Sequence, residues 1–115
     1  MKLYVISLQG QGDTHIKLVR QDSWNALDTG NLTDAMIEDG NTNYSEPEGW
    51  VEEFKWLSTP AGRQSGSWEN DVALHLPAVS INGETAEFFS LSEYTKFIRN
   101  HPEIEIVDEY EGYIY

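Results

Sequence analysis

Residues 2–9 alternate with a period of two: Leu3, Val5 and Ser7 point one way, Tyr4, Ile6 and Leu8 the other. Both sets are largely apolar, so the pattern predicts a strand covered on both sides. Gly10-Gln11-Gly12-Asp13 is a turn cluster. Thr14 to Arg20 alternates again, with Ile16 and Leu18 inward and His15, Lys17 and Val19 outward, which predicts a hairpin. Gln21-Asp22-Ser23-Trp24 predicts a helix start with Asp22 or Ser23 as N-cap, Trp24 and Leu27 buried, and Gly30 as its end. Asn31 or Thr33 would cap a second short helix through Ala35, Met36 and Ile37, stopped by Gly40. Residues 39–49 are rich in Gly, Asn, Asp, Glu, Ser and Pro and read as a loop.

The stretch from Trp50 to Leu57 fits two periods. Trp50, Phe54 and Leu57 have helical spacing, whereas Trp50, Glu52, Phe54 and Trp56 make a strand face that includes an acid, which tips the reading to helix. Residues 58–70, with Pro60, Gly62 and Gly66, read as a flexible loop in which Arg63 and Trp68 stand nearly alone, Trp68 as a lid on the core. Val72, Leu74 and Leu76 alternate up to Pro77, followed by Val79 and Ile81. Because proline cannot donate to a ladder, this segment is expected to be an edge, bulged or broken strand. Asn82-Gly83 is a type I′ hairpin signal, with residues 84–89 returning as the partner strand. Ser90-Leu91-Ser92-Glu93 has the form of a capping box. Leu91, Tyr94 and Ile98, with Phe97 beside them, predict an apolar helical stripe, and Lys96, Arg99 and His101 suit the negative end of the helix dipole. Beyond His101-Pro102, Glu103 to Asp108 alternates acid-out and Ile-in. Residues 108–112 read as a turn, and Tyr113-Ile114-Tyr115 as a strand pairing back.

Together these elements predict an α+β fold: an antiparallel sheet built from hairpins, with a few short helices packed on one side. The 115 residues predict one domain spanning 1–115. No apolar run approaches the roughly 18 residues of a membrane helix. The N-terminal apolar stretch is too short and too regularly patterned for a signal peptide, so the expected location is cytoplasmic. The chain has no cysteine, which excludes disulfides, thiolate-bound metal and a thiol nucleophile.

Charge changes the picture most. Of the 20 acids, nine lie in residues 21–54 and five in residues 100–115, two stretches without a single Lys or Arg; elsewhere six acids meet seven bases. A 13.1 kDa globule exposes roughly 6,400 Å², so the net charge of -13 averages about one per 500 Å². B-DNA carries about one charge per 110 Å², taking one per ~1.7 Å of axis and a radius of roughly 10 Å. An even coating therefore falls short of nucleic acid about fivefold, but acids pooled on half the surface would come within a factor of about two. Excess negative charge also serves solubility alone, and charged edge strands block unwanted pairing.

Catalytic and metal-binding patterns do not emerge. His15, His75 and His101 show no metal-ligand spacing, and there is no Gly-x-Ser-x-Gly. Gly10-x-Gly12 precedes a strand rather than the helix a phosphate loop needs. Asp39, Asn41, Asn43 and Ser45 begin like a calcium loop, but Tyr44 and Trp50 stand where Gly and Glu are required. The acid pairs Glu52/Glu53 and Asp108/Glu109 lie in polar runs rather than in a dry cleft. Asn31-Leu32-Thr33 and Asn43-Tyr44-Ser45 match the glycosylation triplet, which means nothing without a secretory signal.

The expectation is a non-enzymatic, cofactor-free acidic protein that binds a basic surface of another protein. In its strongest form it is a DNA mimic of the kind phages and mobile elements encode, occupying a nucleic-acid-binding site. The chain itself has no basic stripe with which to bind nucleic acid, and no membrane contact is expected. The contact residues would be Asp34, Glu38, Asp39, Glu46, Glu48, Glu52, Glu53, Glu103, Glu105, Asp108, Glu109 and Glu111, with Tyr44, Trp50 and Tyr110 as aromatic anchors. The competing reading is a small-molecule site between sheet and helix, using His75, Tyr94, Arg99 and Arg63.

Overall fold

A computed structural model describes residues 1–29, 59–64 and 68–114. The chain divides into two compact units, Met1–Gln21 with Ala78–Tyr115, and Asp22–Pro77. The first contains β1 (Lys2–Gly10), β2 (Asp13–Val19), the two-residue strands β3 (Ser80–Ile81), β4 (Glu84–Thr85) and β5 (Glu87–Phe88), a helix at Leu91–Asn100, and β6 (Glu105–Tyr113). The helices in chain order are α1 (Gln21–Thr29), α2 (Pro60–Arg63), α3 (Trp68–His75) and α4 (Leu91–Asn100). The fold is α+β, and the four-stranded sheet has the order β5-β2-β1-β6.

Both hairpins close as their turn residues require. Gln11 and Gly12 have φ of 52° and 81°, and Asn82 and Gly83 have 53° and 83°, the two consecutive positive values of a type I′ turn. The first turn joins β1 to β2 from Tyr4↔Val19 to Gly10↔Asp13; the second joins β3 to β4. Ala86 interrupts the return strand. Its N–H donates to the Val79 carbonyl at 2.8 Å and its carbonyl accepts from Leu18 N–H at 3.0 Å, so it ties the small hairpin to β2.

One side of the main sheet carries Leu3, Val5, Ile16 and Leu18, which join Val79, Ile81, Ala86, Phe88 and Ile104 in a core closed by Tyr94, Phe97 and Ile98 of α4. Phe88 sits tilted against Tyr94 and Phe97, ring centroids 5.7 and 4.9 Å apart. Ser90 caps α4 by accepting from Glu93 N–H at 3.2 Å, while the Glu93 carboxylate reaches back to Phe89 N–H at 3.1 Å, one residue beyond the usual capping-box contact. As the alternation in β1 predicted, Ile6 and Leu8 on the opposite side are fully buried as well.

The structure departs from the sequence reading in several places. β6 pairs with β1 in parallel. β5 is antiparallel to β2, and β2 to β1, so the β5-α4-β6 connection carries the chain across the sheet and returns it in the same direction, as a helical crossover does. Residues 108–112 are strand rather than turn, and Tyr113 continues the same strand opposite Gln9. Lys17 and Val19 are buried, not outward, because the central strand β2 is covered on both faces. Leu91 is exposed because it lies in the first turn of α4. Asp22 and Ser23 lie inside α1, which begins at Gln21. Segment 58–70 holds α2, with Thr59 as N-cap accepting from Gly62 N–H and Pro60 in its first turn. Residues 68–75, including His75, are helical rather than strand. There the buried set is Val72, Ala73 and Leu76, spaced i, i+1, i+4, a helical face that the Val72/Leu74/Leu76 alternation concealed. The helix read at 31–40, the loop at 39–49 and the segment 50–57 lie outside the described residues.

Candidate protein interface

β6 is the edge strand of the sheet among the described residues. Its acids do not form one row. The register runs Leu3↔Ile106 and then Tyr4↔Asp108, so Val107 is an extra residue, a bulge that inverts the alternation beyond it. Glu109 and Glu111 therefore share the α4 side with Val5 and Ser7, whereas Glu105, Asp108 and Tyr110 share the other with Lys2, Tyr4 and Ile6. Glu109 is near enough to Tyr94 that its charge, second to burial, pushes the phenol pKa up.

Glu105, Asp108, Glu109 and Glu111 are all exposed, and none forms an ion pair with a Lys or Arg among the described residues. Even Lys2, opposite Glu105 in the register, makes none. The Ile114 N–H donates to the Gln9 carbonyl at 3.0 Å, which fixes the parity of the ladder: the backbone groups of 109, 111 and 113 face away from β1. The Asp108 carboxylate already takes the outward Glu109 N–H at 2.8 Å. The edge thus presents side-chain charge together with outward backbone groups, of which the Glu109 N–H is already taken.

Glu103 precedes the strand and is different. His101 Nδ1 lies 2.9 Å from its carboxylate, and this hydrogen bond holds the Glu103 carboxyl below its usual pKa. Tyr110 is half-buried and has an interaction within the fold. Asp34, Glu38, Asp39, Tyr44, Glu46, Glu48, Trp50, Glu52 and Glu53 lie outside the described residues.

At the opposite edge of the sheet the charges are matched. His15 Nε2 and Glu87 Oε1 are 2.5 Å apart, and Lys17 stands opposite Glu87 in the register. The His15 hydrogen bond, with the His15 and Lys17 charges, lowers the Glu87 pKa against the opposing effect of burial. Burial lowers Lys17 from 10.5 to about 7, with Glu87 acting the other way.

Near this pair is a cavity of about 500 Å³, formed by the β1–β2 turn, the β5–α4 junction and the residue after β6. Asp13, Thr14, His15, Phe89, Leu91 and Ile114 provide most of its wall. Phe89 lies stacked on His15 with centroids 5.2 Å apart and planes 14° from parallel. Phe89 is 67% and Leu91 66% exposed. The sequence reading missed both, although one signal was present: adjacent Phe88 and Phe89 on a strand cannot both face the core. Tyr94, which the competing reading placed at a sheet–helix pocket, is partly buried and packs against the core. Tyr94 and Arg99 do not line the cavity. Among the described residues no group of three His, Asp or Glu side chains is arranged to hold a metal ion. No described helix is long and apolar enough to cross a membrane. No protein-family model, curated protein or solved structure matches this chain.

Proposed function

We propose that this protein is a non-enzymatic acidic binding protein that docks on a basic surface of another protein. The carrying observation is β6, which holds four exposed acids without Lys or Arg partners on one sheet edge. Charges held in ion pairs inside a fold have little left to offer a partner; these remain available. From Glu105 to Glu111 the strand runs about 20 Å and carries roughly one charge per 5 Å. DNA carries about one per 3.4 Å along one strand and about one per 1.7 Å for the duplex. The edge therefore comes closer to a single polynucleotide strand than to a duplex. That supports competition for a nucleic-acid-binding groove as the finer form of the proposal. Such a surface accelerates encounter with a basic partner and repels nucleic acid.

The test is capture from a cell extract on the immobilised full chain, compared with the variant Glu105→Gln/Glu109→Gln/Glu111→Gln. We expect basic proteins to be retained at about 50 mM salt and released near 1 M, as screening of surface charge requires. The variant should retain few of them. Retention that ignores both salt and substitution would refute the proposal.

A further inference from the structure

The acidic edge explains attraction but not selectivity, since any basic surface responds to it. The cavity beside His15 supplies what the edge lacks. Its wall combines a flat aromatic pair, His15 and Phe89, with Leu91 and Ile114 as aliphatic sides and the Asp13 carboxylate in the turn. His15 is held in place by Glu87, and Ile114 by its hydrogen bond to Gln9. Ile114 also sits where a side chain at residue 10 would have to be: a Cβ on Gly10 would come within 2.2 Å of the Ile114 carbonyl oxygen. The site is thus framed by fixed groups, while Phe89 and Leu91 present apolar surface to solvent.

The chemistry of the wall selects the ligand. Among the described residues no Lys or Arg lines the cavity. At the α4 N-terminus beside it the Ser90 hydroxyl takes Glu93 N–H and the Glu93 carboxylate takes Phe89 N–H, so a carboxylate already stands where an anion would approach. A group with an aliphatic stem and a flat cationic head matches all of the wall: the stem lies along Leu91 and Ile114, the head stacks on an aromatic ring and meets a carboxylate. A guanidinium does this better than an ammonium, because it is planar and less strongly hydrated. At about 500 Å³ the cavity is at the small end of ligand sites. It also adjoins the acidic edge. Ile114 follows β6 directly, and Glu111 lies about 10 Å back along the strand.

We infer that this cavity receives an arginine side chain of the basic partner, anchoring next to the acidic edge a segment that the edge has attracted. The inference rests on the basic-partner reading above, and the test separates the two. Full-length ¹⁵N-labelled protein is titrated with N-acetyl-arginine methylamide, and with the lysine and norleucine analogues. Saturable shifts are expected at the amides of Gly12, His15, Phe89 and Leu91, with arginine binding tightest. Asp13→Asn and Phe89→Ala, both at exposed positions, should each weaken arginine binding about fivefold or more. Glu109→Gln/Glu111→Gln should leave it unchanged within about twofold while reducing capture of basic proteins. Norleucine binding as tightly as arginine, shifts confined to β6, or no saturable shift would overturn the inference. Loss of capture with intact arginine binding, or the reverse, shows which of the two proposals fails.

Discussion

The two edges of the main sheet use the same residue type in opposite ways. On the β5 edge, Glu87 is bonded to His15, faces Lys17 and titrates below its normal value. On the β6 edge, Glu105, Glu109 and Glu111 form no ion pair with a Lys or Arg among the described residues, although Lys2 stands opposite Glu105 in the register. The first carboxylate belongs to the fold; the others are surplus to it. Total charge does not reveal this difference. Residues 1–21 and 78–115 hold nine acids and five bases, a modest imbalance, while residues 22–77 hold eleven acids and two bases. What singles out β6 is a strand with no base of its own, whose exposed acids form no ion pair with a described Lys or Arg.

The largest expected effect separates two adjacent residues at the β5 edge. Phe88→Ala should destabilise the protein by about 3–5 kcal/mol, since it removes the ring held between Tyr94 and Phe97. Phe89→Ala should change stability by no more than about 0.5 kcal/mol. Chemical denaturation measures both, and similar losses would contradict the placement of Phe89 at the cavity.

Next comes the buried cation of that edge. Burial lowers Lys17 to about 7 in the folded chain against 10.5 for the free side chain. Between those values the unfolded state binds the proton that the folded state releases, so stability rises with pH from about 7 and is lowest below it. The rise should amount to a few kcal/mol by pH 9–10 and disappear in Lys17→Met. A flat profile would show that Lys17 keeps its proton when folded.

Glu87→Gln should cost about 1–2 kcal/mol near neutral pH through loss of a charged hydrogen bond. A carboxyl with a lowered folded pKa stabilises above its free value of 4.5 and loses that contribution as the pH falls through the folded value. The wild-type advantage over Glu87→Gln should therefore fade in acid; denaturation at pH 7 and pH 3 would show it. The smallest effect concerns the β1–β2 turn beside the cavity. Gln11 adopts φ of 52°, and Gln11→Gly should raise stability by about 0.5–1 kcal/mol, readable as a higher melting temperature.

The features that the sequence made legible are those set by local chemistry. The β1 alternation, the Asn82-Gly83 turn and the Ser90 cap each follow from a few neighbouring residues, and each appears in the structure. α3 was hidden because Val72, Ala73, Leu74 and Leu76 satisfy both a strand and a helix period over so short a run. The parallel β1–β6 pairing is set by where α4 carries the chain, a long-range consequence that no local pattern states. The acids of β6 were identifiable as a base-free run. Their split onto two faces was not, because it depends on a bulge at Val107. The cavity was illegible because its wall joins the turn after β1, the start of α4 and the end of β6.

The most direct test of the central claim needs no partner: the unfolding free energy of Glu105→Gln/Glu109→Gln/Glu111→Gln in low salt. If these carboxylates are surplus to the fold, the variant will match the wild type or exceed it by up to about 1 kcal/mol as mutual repulsion is relieved. A loss of more than about 1 kcal/mol would show that the fold itself holds those charges, and would contradict the account.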